Sequence, residues 1–138
     1  MAEPFIFLED EATADVAFIA YGNTLDQIFE NACYALVETM IDLQSLHGDQ
    51  SFEFVIQAED INGLLYDLLE SILVKFETED IILSKFAITI NTDIFSASVK
   101  SYGEIYHPEK HIFKTHIKAI TFFGMEFTEN SVKVTLDL

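Results

Sequence analysis

Two aspartates near opposite ends of this 138-residue chain, Asp15 and Asp137, are the side chains best suited to chemistry. Asp15 directly precedes a short apolar segment, and Asp137 is followed by Leu138, whose carbonyl and α-carboxylate oxygens are adjacent to it along the chain. Hard divalent cations bind several oxygens from carboxylates, backbone carbonyls and water. If folding brings Asp15 beside Asp137 and Leu138, the group forms a cation site. Otherwise both aspartates are solvated surface acids, which are common.

The histidines are weaker candidates for metal chemistry. His107, His111 and His116 are separated by four and five positions, which superficially resembles a ligand cluster. Pro108 interrupts the helix that would place His107 and His111 on one face, and a zinc site requires a full set of ligands. We therefore predict a loop with two solvent-facing histidines, with zinc binding as the less favoured alternative.

Catalytic motifs are also missing from the sequence. It contains no glycine-rich phosphate loop, no nucleophile elbow and no helical zinc-protease pair. Cys33 is the only cysteine, which excludes an internal disulfide and a thiolate metal cluster. Because Cys33 occupies an apolar position of a predicted helix, we expect a buried structural thiol.

The composition combines core-forming residues with strong negative charge. Half of the residues are hydrophobic, and 24 acids against 7 basic residues give a formal net charge of −17. Nucleic-acid binding depends on basic side chains that neutralise phosphates, so we expect no strong direct binding to nucleic acid or to an anionic membrane. The charge instead favours cations, basic proteins or a basic cleft that receives RNA. Since neither a signal peptide nor an apolar run of about 18 residues is evident, we expect a soluble cytoplasmic protein.

The elements that would position the acids mix strands and helices in one domain over residues 1–138, of the α+β class. We expect two main amphipathic helices packed on mostly antiparallel strands. The first helix, capped by Asn23 or Thr24, would keep Glu30 and Glu38 on a wet face. The predicted elements are strands at 16–21, 51–58, 86–90, 95–99, 116–127 and 131–137, helices at 25–40 and 61–77 (the second capped by Asp60), and a long loop at 103–114.

Short motifs spread in order along nearly the whole chain match those of a known family. They are Thr13-Ala14-Asp15-Val16, Ala20-Tyr21-Gly22-x-Thr24-Leu25, Phe29-Glu30-Asn31-Ala32, Leu64-Leu65-Tyr66 with Phe76, Gly103-Glu104, Pro108-x-x-His111, Lys118-Ala119-Ile120-Thr121 with Met125, and Leu136-Asp137-Leu138. The ordered set resembles the archease family, whose members typically end on Asp-Ile.

The resemblance implies a non-catalytic activator. Archeases assist the RNA-splicing ligase that joins 3′-phosphate or 2′,3′-cyclic-phosphate ends to 5′-hydroxyl ends in tRNA splicing, by promoting ligase guanylylation and multiple turnover. The resemblance also implies a divalent cation, commonly calcium, with magnesium or manganese as alternatives, bound by Asp15, Asp137 and Leu138. Asp60 matches a commonly acidic family position, although a role as helix cap accounts for it equally well.

Two departures from the family pattern concern histidine. The usual Glu-His-Thr-Ala-Asp is replaced by the longer segment 9–15, which has no histidine and adds Asp10 and Glu11 as further potential ligands. Phe123 replaces a histidine often found after the Lys-Ala-Val-Thr-Tyr motif. Both departures weaken any role of histidine in chemistry and leave the carboxylates unchanged.

Two other classes of function remain open. A small metal-dependent hydrolase would use an aspartate-held ion to activate water, with Glu9, Glu11 or His116 as the base. A calcium-binding protein-interaction module with another partner would explain the acids equally well.

Overall fold

Two antiparallel sheets and two long helices form the fold. A computed structural model describes residues 3–8 and 15–138. The elements of these residues are β1 (Phe5–Leu8), β2 (Asp15–Tyr21), α1 (Leu25–Met40), β3 (Gln50–Gln57), α2 (Ile61–Glu79), β4 (Ile81–Asn91), β5 (Ser96–Ile105), β6 (Ala119–Phe127) and β7 (Ser131–Asp137), with a short 3-10 helix at Leu43–Ser45. The strand orders are β1-β2-β7-β6 and β3-β5-β4. All of these strand pairs are antiparallel, which confirms the predicted α+β class.

Helix α1 begins at the predicted cap. Thr24 Oγ1 accepts the backbone N–H of Gln27 at 3.2 Å, and the side chain of Gln27 accepts the N–H of Asn23 at 2.8 Å. In a capping box the third helical residue reaches back to the cap itself, whereas Gln27 reaches one residue further. The two bonds fix the turn that connects β2 to α1.

Helix α2 has the cap that the sequence predicts and runs two residues beyond the predicted end. Asp60 Oδ1 accepts the N–H of Gly63 at 2.7 Å, so Asp60 is the N-cap. The helix ends at Glu79, and Asp80 follows in the left-handed conformation with φ 57°. Within residues 3–8 and 15–138, no helix is long and apolar enough to cross a membrane.

One hydrophobic core contains residues from both sheets and both helices. In the sheet β3-β5-β4, alternate residues such as Phe86, Ile88 and Val99 face this core, while the residues between them face solvent. In the other sheet, Val134 and Leu136 of β7 are fully buried in the same core. Burial of these apolar side chains is the main driving force for folding.

The free edge of β4 is bonded to side chains of α1. Strand β4 lies at the end of its sheet, so one row of its backbone N–H groups has no partner strand. Three α1 side chains, spaced four residues apart, accept hydrogen bonds from alternate residues of β4. The acceptors are Asp26 Oδ1 for Ile90 N–H at 2.9 Å, Glu30 Oε2 for Ile88 N–H at 2.9 Å and the Tyr34 hydroxyl for Phe86 N–H at 3.2 Å.

The wet face predicted for α1 is therefore wrong. Glu30 is half-buried against β4. Glu38 is also half-buried, accepts the N–H of Leu43 at 3.1 Å and lies 3.3 Å from Lys114 Nζ. Both carboxylates hold neighbouring segments of chain, which the spacing of apolar residues does not reveal.

Strands β4 and β5 are longer than their alternating patterns predict. Strand β4 extends back to Ile81, and β5 extends on to Ile105, into the predicted loop. Residues 81–84 are all buried, so this part of β4 shows no alternation. Gly103 permits close packing in β5, because a Cβ atom there would lie 2.7 Å from the carbonyl oxygen of Ile82.

The first sheet also departs from the predicted boundaries. Strand β1 was not predicted, because four residues are too few to establish a period. Strand β6 begins at Ala119 rather than at His116.

Strand β6 contains a bulge. Its register with β7 shifts between the pairs Thr121–Thr135 and Glu126–Lys133, and Gly124 adopts a φ of 67°. Within the bulge Phe122 stacks on Tyr66 of α2, with ring centroids 4.3 Å apart. The bulge therefore joins β6 to α2 and interrupts its pairing with β7.

Candidate functional site

Asp15 and Asp137 lie directly opposite each other. They form a residue pair in the antiparallel ladder of β2 and β7, where Asp15 is the first residue of β2 and Asp137 is the last of β7. Cα atoms of directly opposed residues are about 4.5–5.5 Å apart in such a ladder. The structure thus brings together two carboxylates that are separated by almost the whole sequence.

Both aspartates occupy the face of the sheet that points away from the core. The adjacent pair, Val16 and Leu136, belongs to the core face, and side chains alternate between faces along a strand. On the face of the two aspartates, the next pair includes Ala17, and the neighbour of Asp137 on β6 is Ala119. The two aspartates are themselves partly exposed.

The end of β7 is fixed by a backbone contact. The N–H of Lys118 donates to the carbonyl oxygen of Asp137 at 2.8 Å. Leu138 follows directly and is partly buried against the core. The carbonyl of Asp137 is thus engaged with Lys118, and Leu138 supplies the next backbone carbonyl along the chain.

The two aspartates carry charges of the same sign, which repel each other. Like charges directly opposite in a ladder are destabilising, and among the described residues neither aspartate forms a salt bridge. A bound cation would relieve this repulsion. Two carboxylates and a backbone oxygen fit part of the shell of a hard cation, although residues 3–8 and 15–138 contain no cluster of three or more potential side-chain ligands.

The structure adds none of the other candidate acids to the pair of Asp15 and Asp137. Asp10 and Glu11 lie outside the described residues, as does Glu9. Asp60 acts as a helix cap, with its Oδ1 atom committed to the N–H of Gly63. Of its two proposed roles, the structure accounts for the cap.

A second polar cluster lies around Glu104, at the end of β5. Glu104 Oε1 accepts the backbone N–H groups of His47 and Gly48, and its Oε2 atom lies 3.0 Å from Nε2 of His111. The N–H of His107 donates to Nδ1 of His111 at 2.9 Å. Because Nδ1 accepts, the hydrogen of the neutral ring is on Nε2, which donates to Glu104.

The prediction of two solvent-facing histidines is wrong for His111 and correct for His107. His111 is buried, with a relative exposure of 5%, whereas His107 is exposed. Nδ1 of His111 accepts a hydrogen bond and Nε2 carries the ring hydrogen, so neither ring nitrogen is available to a metal. The sequence signal for this cluster is the pair of motifs Gly103-Glu104 and Pro108-x-x-His111, whose contact the spacing alone does not reveal.

The surroundings of Glu104 favour its charged form. Partial burial raises the pKa of this carboxyl, but hydrogen bonds from the backbone of His47 and Gly48, together with the side chain of His111, outweigh burial and lower the pKa below its usual value. Glu104 is therefore an anion at neutral pH that ties three segments of chain together.

Phe123, which replaces a histidine of the family pattern, lies in the bulge of β6 and is 80% exposed. Its aromatic side chain has no proton to exchange, so this position supplies no acid or base in this chain. The residue is two positions beyond Thr121, whose hydroxyl is bonded to the carbonyl of Thr135 at 2.8 Å.

Known proteins of one family match this chain in sequence over most of its length. The model of the Archease protein family (MTH1598/TM1083) matches residues 5–138. The chain is 38% identical to the protein archease of Methanosarcina acetivorans, covering 88% of this chain and 85% of the relative. It is 35% identical to that of Sulfolobus acidocaldarius, covering 86% and 85% of the two chains.

Solved structures share the same architecture. The solution structure of protein 1598 from Methanobacterium thermoautotrophicum superposes with a TM-score of 0.81 at 32% identity, covering 98% of this chain and 99% of the other. The crystal structure of a Thermotoga maritima protein described as an archease and possible chaperone has a TM-score of 0.56 at 18% identity, covering 94% of each chain, and shows the shared fold. The chain belongs to the archease family.

Proposed function

We propose that this protein is a non-catalytic activator of the RNA-splicing ligase that joins 3′-phosphate ends to 5′-hydroxyl ends in tRNA splicing. It promotes guanylylation of the ligase and allows multiple turnover. Membership of the archease family supports this role, and a cytoplasmic location goes with it.

The observation that carries the mechanism is the opposition of Asp15 and Asp137. Two carboxylates held opposite each other, with no salt bridge to either among the described residues, suit a hard divalent cation such as calcium, to which a backbone oxygen of Leu138 would be a further ligand. Magnesium and manganese favour the same oxygen ligands. Water, the ligase or its nucleotide would complete the shell, since two carboxylates are too few for it.

The ion, when bound, supplies positive charge near the nucleotide phosphates of the ligase. The role of the chain is to hold that ion at the ends of two paired strands, where the Lys118–Asp137 backbone contact limits movement. The net charge of −17 supports docking on a basic cleft that receives RNA. The same charge disfavours direct binding of RNA by this protein.

The experiment is ligase guanylylation measured with and without this protein. Asp15→Asn and Asp137→Asn should abolish the stimulation, whereas Asp93→Asn should retain it. Asp93 is a matched control because it is an exposed acid in the turn between β4 and β5. Stimulation that survives both site substitutions would exclude the ion-centred mechanism, and stimulation that no form of the protein produces would exclude the activator role.

Binding to the ligase through charge attraction should depend on the salt concentration. Higher ionic strength should weaken binding to the ligase, because salt screens exposed charges over about 8–10 Å.

If turnover of a phosphodiester by the protein alone depends on Asp15, the metal-dependent hydrolase replaces the activator. Recovery of an unrelated basic protein instead of the ligase in a pull-down would favour the interaction module.

A further inference from the structure

A cavity of about 430 Å³ lies at the C-terminal end of α2, apart from the carboxylate pair. Its walls come from three segments: the end of α2 with Asp80, the residue after β5, and the loop that leads to β6. The lining residues are Phe76, Glu77, Asp80, Tyr106, Phe113 and His116. Its volume is in the range of small-ligand sites.

The aromatic walls meet at steep angles. Tyr106 is the central ring: Phe76 stands perpendicular to it at 89° with centroids 5.6 Å apart, and Phe113 is inclined at 66° with centroids 6.1 Å apart. The His116 ring lies 4.6 Å from that of Phe113. Tyr106 also stacks on His111, at a centroid distance of 5.7 Å, which fixes its orientation. Steep angles of this kind are typical of edge-to-face pairs, in which the positive edge of one ring contacts the negative face of its neighbour, and the ring faces not covered in this way carry negative charge.

Two acidic side chains give the cavity negative charge. Glu77 and Asp80 contribute exposed carboxylates, and none of the six lining residues is a lysine or an arginine. Helix α2 also has no basic residue in its last turn, so the partial negative charge of its C-terminus is not offset there. The N–H of Tyr106 donates to the carbonyl of Asp80 at 2.7 Å and holds the two walls together.

We infer that this cavity binds the guanidinium or ammonium group of an organic cation. Aromatic faces attract such cations, with the strongest effect where water is partly excluded. The two carboxylates add charge attraction at the entrance. An alkyl chain would pack against Phe76 and Phe113 while its cationic group faces Tyr106. This inference does not depend on the proposed role in ligase activation.

The test compares three small molecules by their effect on backbone NMR signals of Asp80, Tyr106 and His116. Nα-acetyl-arginine amide should shift these signals and bind at least about fivefold more tightly than Nα-acetyl-citrulline amide, its neutral isostere, because only the cation gains the aromatic and carboxylate attraction. Agmatine, which lacks the peptide groups, identifies the source: equal affinity indicates a free organic cation, and weaker binding indicates an arginine side chain of a protein.

Matched substitutions locate the site. Tyr106→Leu and Glu77→Gln should each weaken binding of the arginine derivative, whereas Tyr102→Leu on β5 and Glu70→Gln on α2 should not. The comparison of arginine with citrulline uses the unaltered protein, so it does not depend on the folding of any variant. Equal binding of the two derivatives, or the absence of shifts at these residues, would overturn the inference.

Discussion

Nε2 of His111 donates to Oε2 of Glu104 across 3.0 Å, inside a cluster that is nearly closed to solvent. Glu104 also receives the backbone N–H groups of His47 and Gly48, more than 50 residues away along the chain. One carboxylate therefore connects the loop before β3, the end of β5 and the loop that contains His111. Loss of its charge should loosen all three connections together.

Glu104→Gln should lower the free energy of unfolding at neutral pH by about 1–3 kcal/mol, because the amide is a weaker acceptor and leaves buried donors poorly satisfied. The lowered pKa of Glu104 sets the pH dependence. Its contribution is fully present above the unfolded-state pKa of about 4.3 and is lost as the pH falls through the lower folded-state value. Denaturant unfolding from pH 7 to pH 3 should show the two proteins converging in acid. Glu109→Gln, at an exposed position, is the control and should show no such convergence.

Asp137→Asn should not destabilise the protein in the absence of divalent ions, and should stabilise it by about 0.2–1 kcal/mol, because it removes the repulsion from Asp15. Calcium should reverse the order of stability. At a calcium concentration about 100 times the Kd, the unaltered protein gains about 2.7 kcal/mol, and the variant gains little of this. Thermal unfolding with chelator and with calcium checks both arms. Equal stabilisation of both proteins by calcium would mean that the ion binds elsewhere.

Cys33 should be unreactive in the folded protein. Burial in α1, and secondarily the negative charge of Glu30, raise the pKa of the thiol well above its usual value, so the reactive thiolate is suppressed. Labelling by a thiol reagent should be negligible in native buffer and should rise with denaturant in step with unfolding. As a control, Ser98→Cys in a Cys33→Ala background places a thiol at an exposed position of β5 and should react at once. Rapid native labelling of Cys33 would contradict the burial argument.

Asp60→Ala should lower the free energy of unfolding by about 1 kcal/mol through loss of the helix cap, with calcium binding unchanged. Asp60→Asn should retain most of the stability, because an asparagine side chain also accepts a hydrogen bond at this position. Glu59→Ala, at the adjacent exposed residue, is the control. A loss of calcium affinity in Asp60→Ala without a loss of stability would favour the role of ligand over that of cap.

Local signals in the sequence predicted the parts of the fold that depend on local physics. Asp60 was identified as a cap, and Thr24 as one of two candidates with Asn23, because a side-chain acceptor three residues before a free N–H is a short-range pattern. The pairing of Asp15 with Asp137 could be stated only as a condition for the cation site, since pairing of the first and last parts of a chain depends on the whole topology. The burial of His111 could not be predicted, because its partner Glu104 follows residues 101–103, where the buried positions of β5 are Ser101 and Gly103 and carry no apolar signal in the sequence.

The edge of β4 has a consequence for how α1 is oriented. Four residues of a helix advance about 6.0 Å, and two residues of a strand advance about 6.4–6.8 Å. Because the two distances are nearly equal, three successive hydrogen bonds can form between α1 side chains and the backbone of β4. The helix runs antiparallel to the strand. The side chains that accept these bonds are progressively longer from Asp26 to Glu30 to Tyr34. This order indicates that the gap between helix and strand widens towards Phe86. The three side chains therefore act as spacers whose lengths set the tilt of α1 against β4. Exchanging Asp26 with Glu30 would alter the angle between α1 and β4 while leaving the composition and the charge of the chain the same.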